Sequence, residues 1–385
     1  RQSLHRRCKL PYTLRSSYCT FESAVWRATL PMGECTEGAN ARVIAVVNLS
    51  GTKDRGSGSP RLMRQVAIIF SIWHPFRTGS PANGIPMHVI VLGSGLLGVS
   101  SAYYLSQLGH DVTVVDRQAS AAAETSFANG GQISVSHAEP WANPGAPLKV
   151  LQWLGKEDAP LLFRIRADMR QWLWGLQFMR ECTPARTRHN IEQIVRLGTY
   201  SRAMLQELRA TTGLQYDQRT QGILHFYTSV KEFDAALKPA EQMRALGCDR
   251  QVISADEAIR LEPALAHMRA QLAGATYTAE DESGDANRFA RELVKLCEGA
   301  GVKFRMSHTV TALRETGGQI DHVEATDADG RFQRLRADAY VLAMGSLSPL
   351  YAAPLGIHLP IYPAKGYSVT MPVKDASKAH QVSLT

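Results

Sequence analysis

The sequence has little that would indicate a metal centre or a disulfide-linked protein. Its six cysteines form neither a CxxC pair nor a zinc-finger spacing, and its histidines form neither HxH nor HExxH. Scattered thiols in a chain of 385 residues are typical of a reducing compartment. We therefore predict no disulfide framework and no bound metal.

Long apolar runs and hydrolase motifs are also lacking. No run reaches the ~18 residues of a membrane-spanning helix, and the stretch "VAIIFSIW" at 66–73 is too short. The nucleophile elbow GxSxG is absent, which argues against an α/β-hydrolase.

Net charge is lacking in most of the chain. Residues 1–86 contain 12 Lys and Arg against 4 Asp and Glu, so they hold the whole formal excess of +8, and residues 87–385 are balanced. The balanced part gives no electrostatic reason to expect nucleic acid as a partner.

The basic segment 1–86 differs from the rest in composition. It begins with Arg1, has poor amphipathic periodicity and contains the linker-like stretch "NLSGTKDRGSGSPRLMR". A targeting peptide, a basic tail for an anionic partner and sequence upstream of the natural start are three interpretations. We favour the third, because the change in composition coincides with Met87, and we expect a disordered or non-native leader.

The stretch "HVIVLGSGLLG", which begins at His88, predicts the first strand, glycine turn and helix of a dinucleotide-binding unit. Gly93 would make the tight turn, Gly95 would let the backbone approach a pyrophosphate, and Gly98 would allow the helix to pack closely on the strand. Apolar residues then recur at three and four positions, which predicts a helix that ends near Gly109.

A second strand, "DVTVVD", ends at Asp116. A carboxylate at this position accepts hydrogen bonds from ribose hydroxyls and disfavours a 2′-phosphate. The N-terminus of the preceding helix would offer N–H groups to the phosphates. Spacing alone does not distinguish FAD from NAD.

The loop after Asp116 favours a flavin. No third strand follows promptly, and the small-residue loop "ASAAAETSFANGGQIS" suits contact with a large planar ring through backbone donors. The strand "ADAYVL" further on ends at a glycine turn, Gly345, and on its own pattern it is either a buried parallel strand or a second nucleotide-contacting strand. The predicted cofactor-binding residues are Val89, Ile90, Val91, Leu92, Gly93, Ser94, Gly95, Leu96, Leu97, Gly98, Asp116, Arg117, Ser126, Asn129, Gly130, Gly131, Gln132 and Gly345.

From Met87 onward the sequence resembles a known family. The stretches "GSGLLGVSSAYYLSQLGHDVTVVDRQ", "ETSFANGGQIS", "PWANPGAPLKVLQWL", "LEPAL", "DESGD", "ADAYVLAMGS" and "YPAKGYSVTMP" occur in the order expected for bacterial FAD-dependent D-amino acid dehydrogenases. That family lies within the glycine oxidase and D-amino acid oxidase superfamily. Its second nucleotide strand often ends in ATG, where this chain has Ala343–Met344–Gly345.

The resemblance implies an α/β fold, with a Rossmann-type FAD-binding domain and an inserted sheet-and-helix (α+β) substrate domain. The implied reaction is oxidative deamination of D-alanine and related D-amino acids, with electrons passed to a quinone or respiratory-chain acceptor. A cytoplasmic location follows, or one peripheral on the cytoplasmic face of the bacterial inner membrane. The alternatives are an oxygen-using oxidase, an NAD-dependent dehydrogenase, for which the loop after Asp116 fits poorly, and an inactive fragment.

The predicted domain boundaries follow from this organisation. Residues 87–140 and 284–358 would form the FAD-binding domain, and residues 141–283 and 359–385 the substrate domain. A Trp- and Arg-rich helix is expected from Leu161, with core packing favoured over contact with a membrane surface. A long helix is expected over 184–212 and a hairpin over 213–229.

Catalytic residues are not evident. A substrate carboxylate calls for an arginine, whose planar fork matches both oxygens. The resemblance places that arginine beyond the second nucleotide strand, in a part of the family pattern with no counterpart before Thr385. Lys365 and Tyr367 remain candidates. We expect this chain to bind FAD weakly or not at all and to show no detectable turnover of D-alanine.

Overall fold

A computed structural model describes residues 14–20, 42–45, 86–156, 164–369, 372–373, 375 and 379–385. The described α-helices are α1 (Leu96–Gln107), α2 (Ala146–Trp153), α3 (Met169–Glu181), α4 (Pro184–Thr212), α5 (Val230–Ala245), α6 (Ala255–Leu261), α7 (Ala286–Gly299) and α8 (Ser348–Ala352). Short 3₁₀ helices span Pro263–Gln271, Gly345–Leu347 and Ala353–Leu355.

The described strands are β1 (Leu14–Thr20), β2 (Arg42–Ala45), β3 (His88–Leu92), β4 (Asp111–Val115), β5 (Gln132–Ile133), β6 (Ile223–Tyr227), β7 (Gln251–Ile253), β8 (Gly274–Thr278), β9 (Glu282–Ser283), β10 (Lys303–Arg305), β11 (Thr309–Thr316), β12 (Gln319–Thr326), β13 (Phe332–Leu335), β14 (Ala339–Leu342), β15 (Pro363–Val369) and β16 (Ser383–Leu384).

A parallel sheet in the order β10-β4-β3-β14-β2 forms the centre of the fold. Side chains alternate across a strand, so β3 contributes to two cores. Val89 and Val91 pack with apolar residues of α1 and α7 on one side. Ile90 and Leu92 pack on the other side with the antiparallel sheet β11-β12-β13. Both faces are covered, which explains why β3 reads as a continuous apolar run.

A second sheet in the order β16-β6-β8-β7 contains antiparallel pairs, with β16 parallel to β6. Its apolar side packs on α6 and the following 3₁₀ helix through Leu224, Ala258 and Leu265. Ser254 and Glu257 cap α6 reciprocally, which satisfies N–H groups in its first turn. This mixed architecture, a parallel sheet beside an antiparallel one, agrees with the predicted fold class.

Most of the predicted elements are confirmed. The first strand, the helix after it and the second strand appear as β3, α1 and β4, and the long helix over 184–212 is α4. Pro184 stands in the first turn of α4 and Gly213 ends it in the left-handed conformation, with φ of 68°. The strand containing Lys365 is β15, and it pairs with β1.

The predicted hairpin over 213–229 is wrong. Only Ile223–Tyr227 forms a strand in that stretch, and its antiparallel partner is β8, about fifty residues further along the chain. The alternating pattern indicated a half-buried strand correctly. The pattern could not show which strand would pair with β6. A strand distant in sequence supplies partners for the backbone N–H and C=O groups of β6 as well as a neighbouring strand does.

The Trp- and Arg-rich helix differs from the expectation of core packing. It begins at Met169, and residues 161–163 lie outside the described part. Five of its large apolar side chains are exposed, namely Met169, Trp172, Leu173, Leu176 and Met179. Trp174 instead lies near Phe178 and Tyr362. Among the described helices, none combines the length and apolarity needed to cross a bilayer.

The segment 1–86 contributes two described strands. Arg42–Ala45 lies beside β14 in the central sheet, and Leu14–Thr20 pairs with β15. The rest of 1–85 lies outside the described residues, so the expectation of disorder there stays a prediction.

Candidate functional site

The glycine turn after β3 lies against the end of β14. Gly93 has φ of +102° and donates its N–H to Val115 O at 2.8 Å. A Cβ at Gly93 would lie 2.4 Å from Ala343 O, and a Cβ at Gly98 would lie 1.9 Å from Gly93 O. Both contacts are far shorter than a Cβ tolerates, so the turn and the helix–strand packing require glycine at these two positions.

Helix α1 begins at this turn without a side-chain cap of its own. Gly95 is the cap residue, and the N–H of Leu96 donates to Ser126 Oγ at 3.0 Å. Ser126 comes from the loop that the sequence assigned to the flavin, so this loop is fastened directly over the helix N-terminus. The positive end of the helix dipole therefore lies where the glycine turn and this loop meet.

Asp116 follows β4 beside the same turn. Its Oδ2 accepts hydrogen bonds from the N–H and Oγ of Ser94, at 2.6 and 2.7 Å, and its Oδ1 accepts from Gln118 N at 2.8 Å. A carboxylate has about four acceptor positions, so capacity for a ribose hydroxyl remains. Asp116 thus braces the turn in addition to its predicted role.

A cavity of about 1450 Å³ opens at these strand ends. Small-ligand pockets are usually roughly 300–1,000 Å³, so this cavity has room for an extended dinucleotide together with a small substrate. It lies at the carboxyl ends of parallel strands, where open α/β sheets bind ligands.

Eleven of the predicted cofactor-binding residues line the cavity: Gly93, Gly95, Leu96, Leu97, Asp116, Arg117, Ser126, Asn129, Gly131, Gln132 and Gly345. The other seven predicted residues do not line the cavity themselves. Val89, Ile90, Val91 and Leu92 are buried in β3, Ser94 holds Asp116, Gly98 packs on Gly93, and Gly130 lies between two lining residues.

The two candidate catalytic residues are not brought to the cavity. Lys365 and Tyr367 occupy exposed positions of β15, and Lys365 Nζ lies 4.9 Å from the centre of the Tyr367 ring. Tyr362, just before that strand, does line the cavity. The side chains of Lys365 and Tyr367 stabilise each other at the surface, and the role proposed for them near a flavin stays a prediction.

Several lining residues were missed by the sequence analysis. Helix α4 contributes one wall through Leu197, Tyr200, Ser201, Met204, Leu205 and Leu208. Their spacing indicated only an amphipathic helix, and nothing in it showed which surface that face would contact.

Arg166, a charged residue of the cavity lining, was also missed by the sequence analysis. It lines the cavity with Asp168 and Arg170, and Arg170 pairs with Asp168 at 3.2 Å. Within the described residues the Arg166 guanidinium makes no hydrogen bond and no ion pair, although its charge helps to lower the pKa of Asp168, after the hydrogen bonds from Arg170. It is therefore available to an anionic ligand.

Burial opposes the ionisation of two titratable side chains, Tyr351 at the cavity and Cys297 in the core behind it. Burial raises the pKa of Tyr351, whose hydroxyl donates to Val310 O at 2.8 Å. Burial raises the pKa of the Cys297 thiol to about 12, so this residue is a packing side chain. In the part of the chain that the structure describes, no three His, Cys, Asp or Glu side chains form a group suited to a metal ion.

The family model described as "DAO: FAD dependent oxidoreductase" matches residues 88–384. This chain belongs to the FAD-dependent oxidoreductase family. FAD is the cofactor of that family, and the predicted cofactor and oxidoreductase class are confirmed.

The resemblance stated from the sequence is also confirmed. The chain is 54% identical over 299 residues to a protein of Dechloromonas aromatica (strain RCB) described as a D-amino acid dehydrogenase, covering 78% of this chain and 72% of that protein. A protein of Paramagnetospirillum magneticum with the same description is 50% identical over 300 residues, covering 78% of this chain and 70% of that protein.

A solved structure shares the fold at lower identity. An L-amino acid deaminase from Proteus myxofaciens in complex with anthranilate has a TM-score of 0.50 and 18% identity, covering 74% of this chain and 51% of that one. A glycine oxidase from Bacillus cereus ATCC 14579 has a TM-score of 0.48 and 20% identity, covering 69% of this chain and 58% of that one. The chain thus spans just over half the length of these structures.

The residues of this chain fit FAD. Gly93 has no side chain because Ala343 O occupies that space, and an added Cβ at Gly95 would have only Ser126 Oγ within 4 Å, at 3.3 Å. Backbone therefore forms this part of the cavity surface, as close approach of a pyrophosphate requires. The loop residues Asn129 and Gly131 lie further along the same cavity, and the N–H of Gly131 donates to Asn129 Oδ1 at 2.8 Å, which fixes the shape of the loop there.

Proposed function

We propose that this chain oxidatively deaminates D-amino acids, D-alanine and its relatives, to 2-oxo acids and ammonia, with electrons passed on to a quinone or another respiratory-chain acceptor. The observation that carries this proposal is the single cavity that combines the nucleotide turn with a wall from α4. The relatives described as D-amino acid dehydrogenases, at 54% and 50% identity, support the substrate class.

The cofactor and the protein have separate roles in this reaction. When bound, FAD would supply the oxidising chemistry by accepting the hydride that leaves the substrate's Cα. The chain must orient the substrate, hold its carboxylate and keep water out.

Two features of the cavity suit these tasks. The α4 residues Leu197, Met204 and Leu205 give it an apolar wall, which would limit the contact of water with the reacting atoms. Arg166, whose guanidinium is free, is the candidate group to hold the substrate carboxylate, because a bidentate pair fixes orientation as well as charge. This role is additional to the arginine that the resemblance places later in the family pattern.

We also propose the domain boundaries predicted from the sequence. Strands β3, β4, β10 and β14 of the central sheet come from 87–140 and 284–358. Strands β6, β7, β8 and β16 of the second sheet come from 141–283 and 359–385. The assignment of the first group to FAD and the second to the substrate side is supported by this separation.

A peripheral membrane contact through α3 is part of the proposal, since a membrane-bound acceptor has to be reached. Trp172 is 51% exposed and Leu176 is 65% exposed, and arginines lie along the same helix. A basic amphipathic helix with Trp suits the interface of an anionic bilayer. Cosedimentation with anionic phospholipid vesicles, reduced in Trp172→Ser, is the expected result; equal sedimentation of both proteins would refute the contact.

The experiment that tests the reaction is an anaerobic single turnover. The FAD-loaded chain is mixed with excess D-alanine, and the visible flavin absorbance is followed for hours, with L-alanine as the matched control. Slow bleaching by D-alanine alone is expected, at a rate below detection in a steady-state dye assay. Bleaching by L-alanine at the same rate, or by neither enantiomer, would contradict the proposal.

A further inference from the structure

Three consecutive carboxylates, Glu280–Asp281–Glu282, join two walls of the cavity. We name them the acidic triplet. Asp281 is 0% exposed, and Glu282 is buried beside it. A buried carboxylate is costly unless its oxygens are fully hydrogen-bonded, so the partners of Asp281 show what it holds in place.

The first wall that the acidic triplet holds is the loop after β5. Asp281 Oδ1 accepts from Val135 N at 2.9 Å, and Oδ2 accepts from Ser136 N at 3.1 Å and from Ser134 Oγ at 2.9 Å. These residues directly follow Gly131–Ile133, which line the cavity. Glu282–Ser283 also pairs with Gln132–Ile133 as β9 against β5, so the same short stretch holds the loop twice.

The second wall is helix α4. Arg202 Nη1 donates to Asp281 Oδ1 at 3.1 Å, and its Nη2 pairs with Glu280. Glu282 accepts from Gln206 at 2.8 Å and from Arg209. Arg202 is itself buried, and its neighbours Ser201, Met204 and Leu205 line the cavity.

We infer that Asp281 is a positioning residue for the cofactor cavity: it fixes the loop at 131–136 and helix α4 to one point, and so sets the width of the space in which the flavin is held. The inference rests on FAD as the cofactor and not on the identity of the amino acid. It deepens the proposed function, because the same cavity would hold the substrate.

Both carboxylate oxygens of Asp281 are needed as acceptors for this role. Each of its oxygens faces donors alone, from Val135 and Arg202 on one side and from Ser134 and Ser136 on the other. An asparagine would turn an NH₂ group toward one of these pairs. A backbone N–H or the guanidinium would then be left without an acceptor.

Glu262 provides a matched control. It is 1% exposed and likewise accepts backbone N–H groups from a distant segment, from Gln381 and from Val382, the latter at 3.1 Å. That segment does not belong to the described lining of the cavity. Glu262→Gln therefore disturbs a comparable carboxylate that holds a segment whose described hydrogen bonds to the cavity lining are those of Gln132, whose amide donates to Ser383 Oγ at 3.5 Å and to Thr385 Oγ1 at 3.3 Å.

The test compares Asp281→Asn, Glu262→Gln and the unchanged full chain by two readouts. Hydrogen exchange of peptides covering 131–137 is measured without cofactor, and FAD affinity is measured by fluorescence titration. We expect Asp281→Asn to speed exchange and to raise the Kd for FAD by roughly tenfold each, the factor for one lost hydrogen bond of ~1.4 kcal/mol. Glu262→Gln should leave both within about twofold.

Two results would overturn the inference: an unchanged pair of readouts in Asp281→Asn, or equal changes in both variants. If Asp281→Asn does not fold, Ser134→Ala is tested in its place, because it removes only one donor to Asp281 Oδ2. A change of about threefold in both readouts supports the positioning role, and no change refutes it. If the unchanged chain binds no FAD, the exchange result alone decides the positioning role.

Discussion

Replacement of Gly93 by alanine should damage the turn on which the whole site is built. The residue has φ of +102°, which an L-residue rarely adopts. Its added Cβ would also lie 2.4 Å from Ala343 O, a backbone atom that cannot rotate away. The substitution therefore combines backbone strain with a clash between β3 and β14.

The two effects have separable magnitudes. A residue held in a rarely populated backbone conformation costs about 1–3 kcal/mol, and overpacking a close contact typically costs a further ~1–3 kcal/mol. Gly93→Ala should thus lower the free energy of unfolding by about 2–6 kcal/mol. Gly109→Ala isolates the first effect, since Gly109 has φ of +83° and nothing within 4 Å of an added Cβ; it should cost about 1–2 kcal/mol.

Urea denaturation of the two variants and the unchanged chain, followed by far-ultraviolet circular dichroism, measures both costs. FAD titration on the same samples shows whether the lost stability is accompanied by lost affinity. We expect the larger loss of stability and the loss of affinity in Gly93→Ala alone. If Gly93→Ala is no more destabilising than Gly109→Ala, the close approach to Ala343 does not constrain the turn and the reasoning is refuted.

Three further predictions concern single side chains. Burial lowers the pKa of His225 from 6.5 to about 3, so the unfolded chain binds more protons than the folded chain between these values. The free energy of unfolding should therefore fall by about 2 kcal/mol from pH 7 to pH 5. Urea denaturation at both pH values measures this loss, and an equal loss in the unchanged chain and in His225→Gln would refute the prediction. Arg166→Met should lower the affinity for D-alanine about tenfold or more in single-turnover titrations, whereas the same change at the paired Arg170 should not, and equal effects would remove Arg166 from the substrate site. Ser126→Ala should cost about 1 kcal/mol in thermal unfolding by removing the acceptor for the first N–H of α1, and an unchanged midpoint would show that water replaces it.

The nucleotide-binding unit could be predicted from the sequence because its constraints are local. The strand, turn and helix from His88 to Gln107 follow from a β-branched run, glycines at fixed spacing and apolar residues at three and four positions. The role of Gly98 in packing was also accessible, since it depends on a contact only five residues away in sequence.

The rest of the cavity depends on contacts between distant segments. Helix α4 was predicted as a helix, but its position against the loop at 131–136 is set by Arg202 and Asp281, which are 79 residues apart in sequence. The partner of β6 was missed for the same reason, since β8 is far along the chain. Periodicity shows which face of an element is apolar and not which element covers it.

The central claim is that the cavity between the glycine turn and α4 binds FAD. It is tested most directly by titrating FAD with the purified chain and recording the visible flavin bands at equilibrium. We predict a saturable perturbation of the flavin bands, caused by weak binding of one FAD per chain. This perturbation should be lost in Gly93→Ala. Bands identical to those of free FAD at every concentration of a folded chain would contradict it.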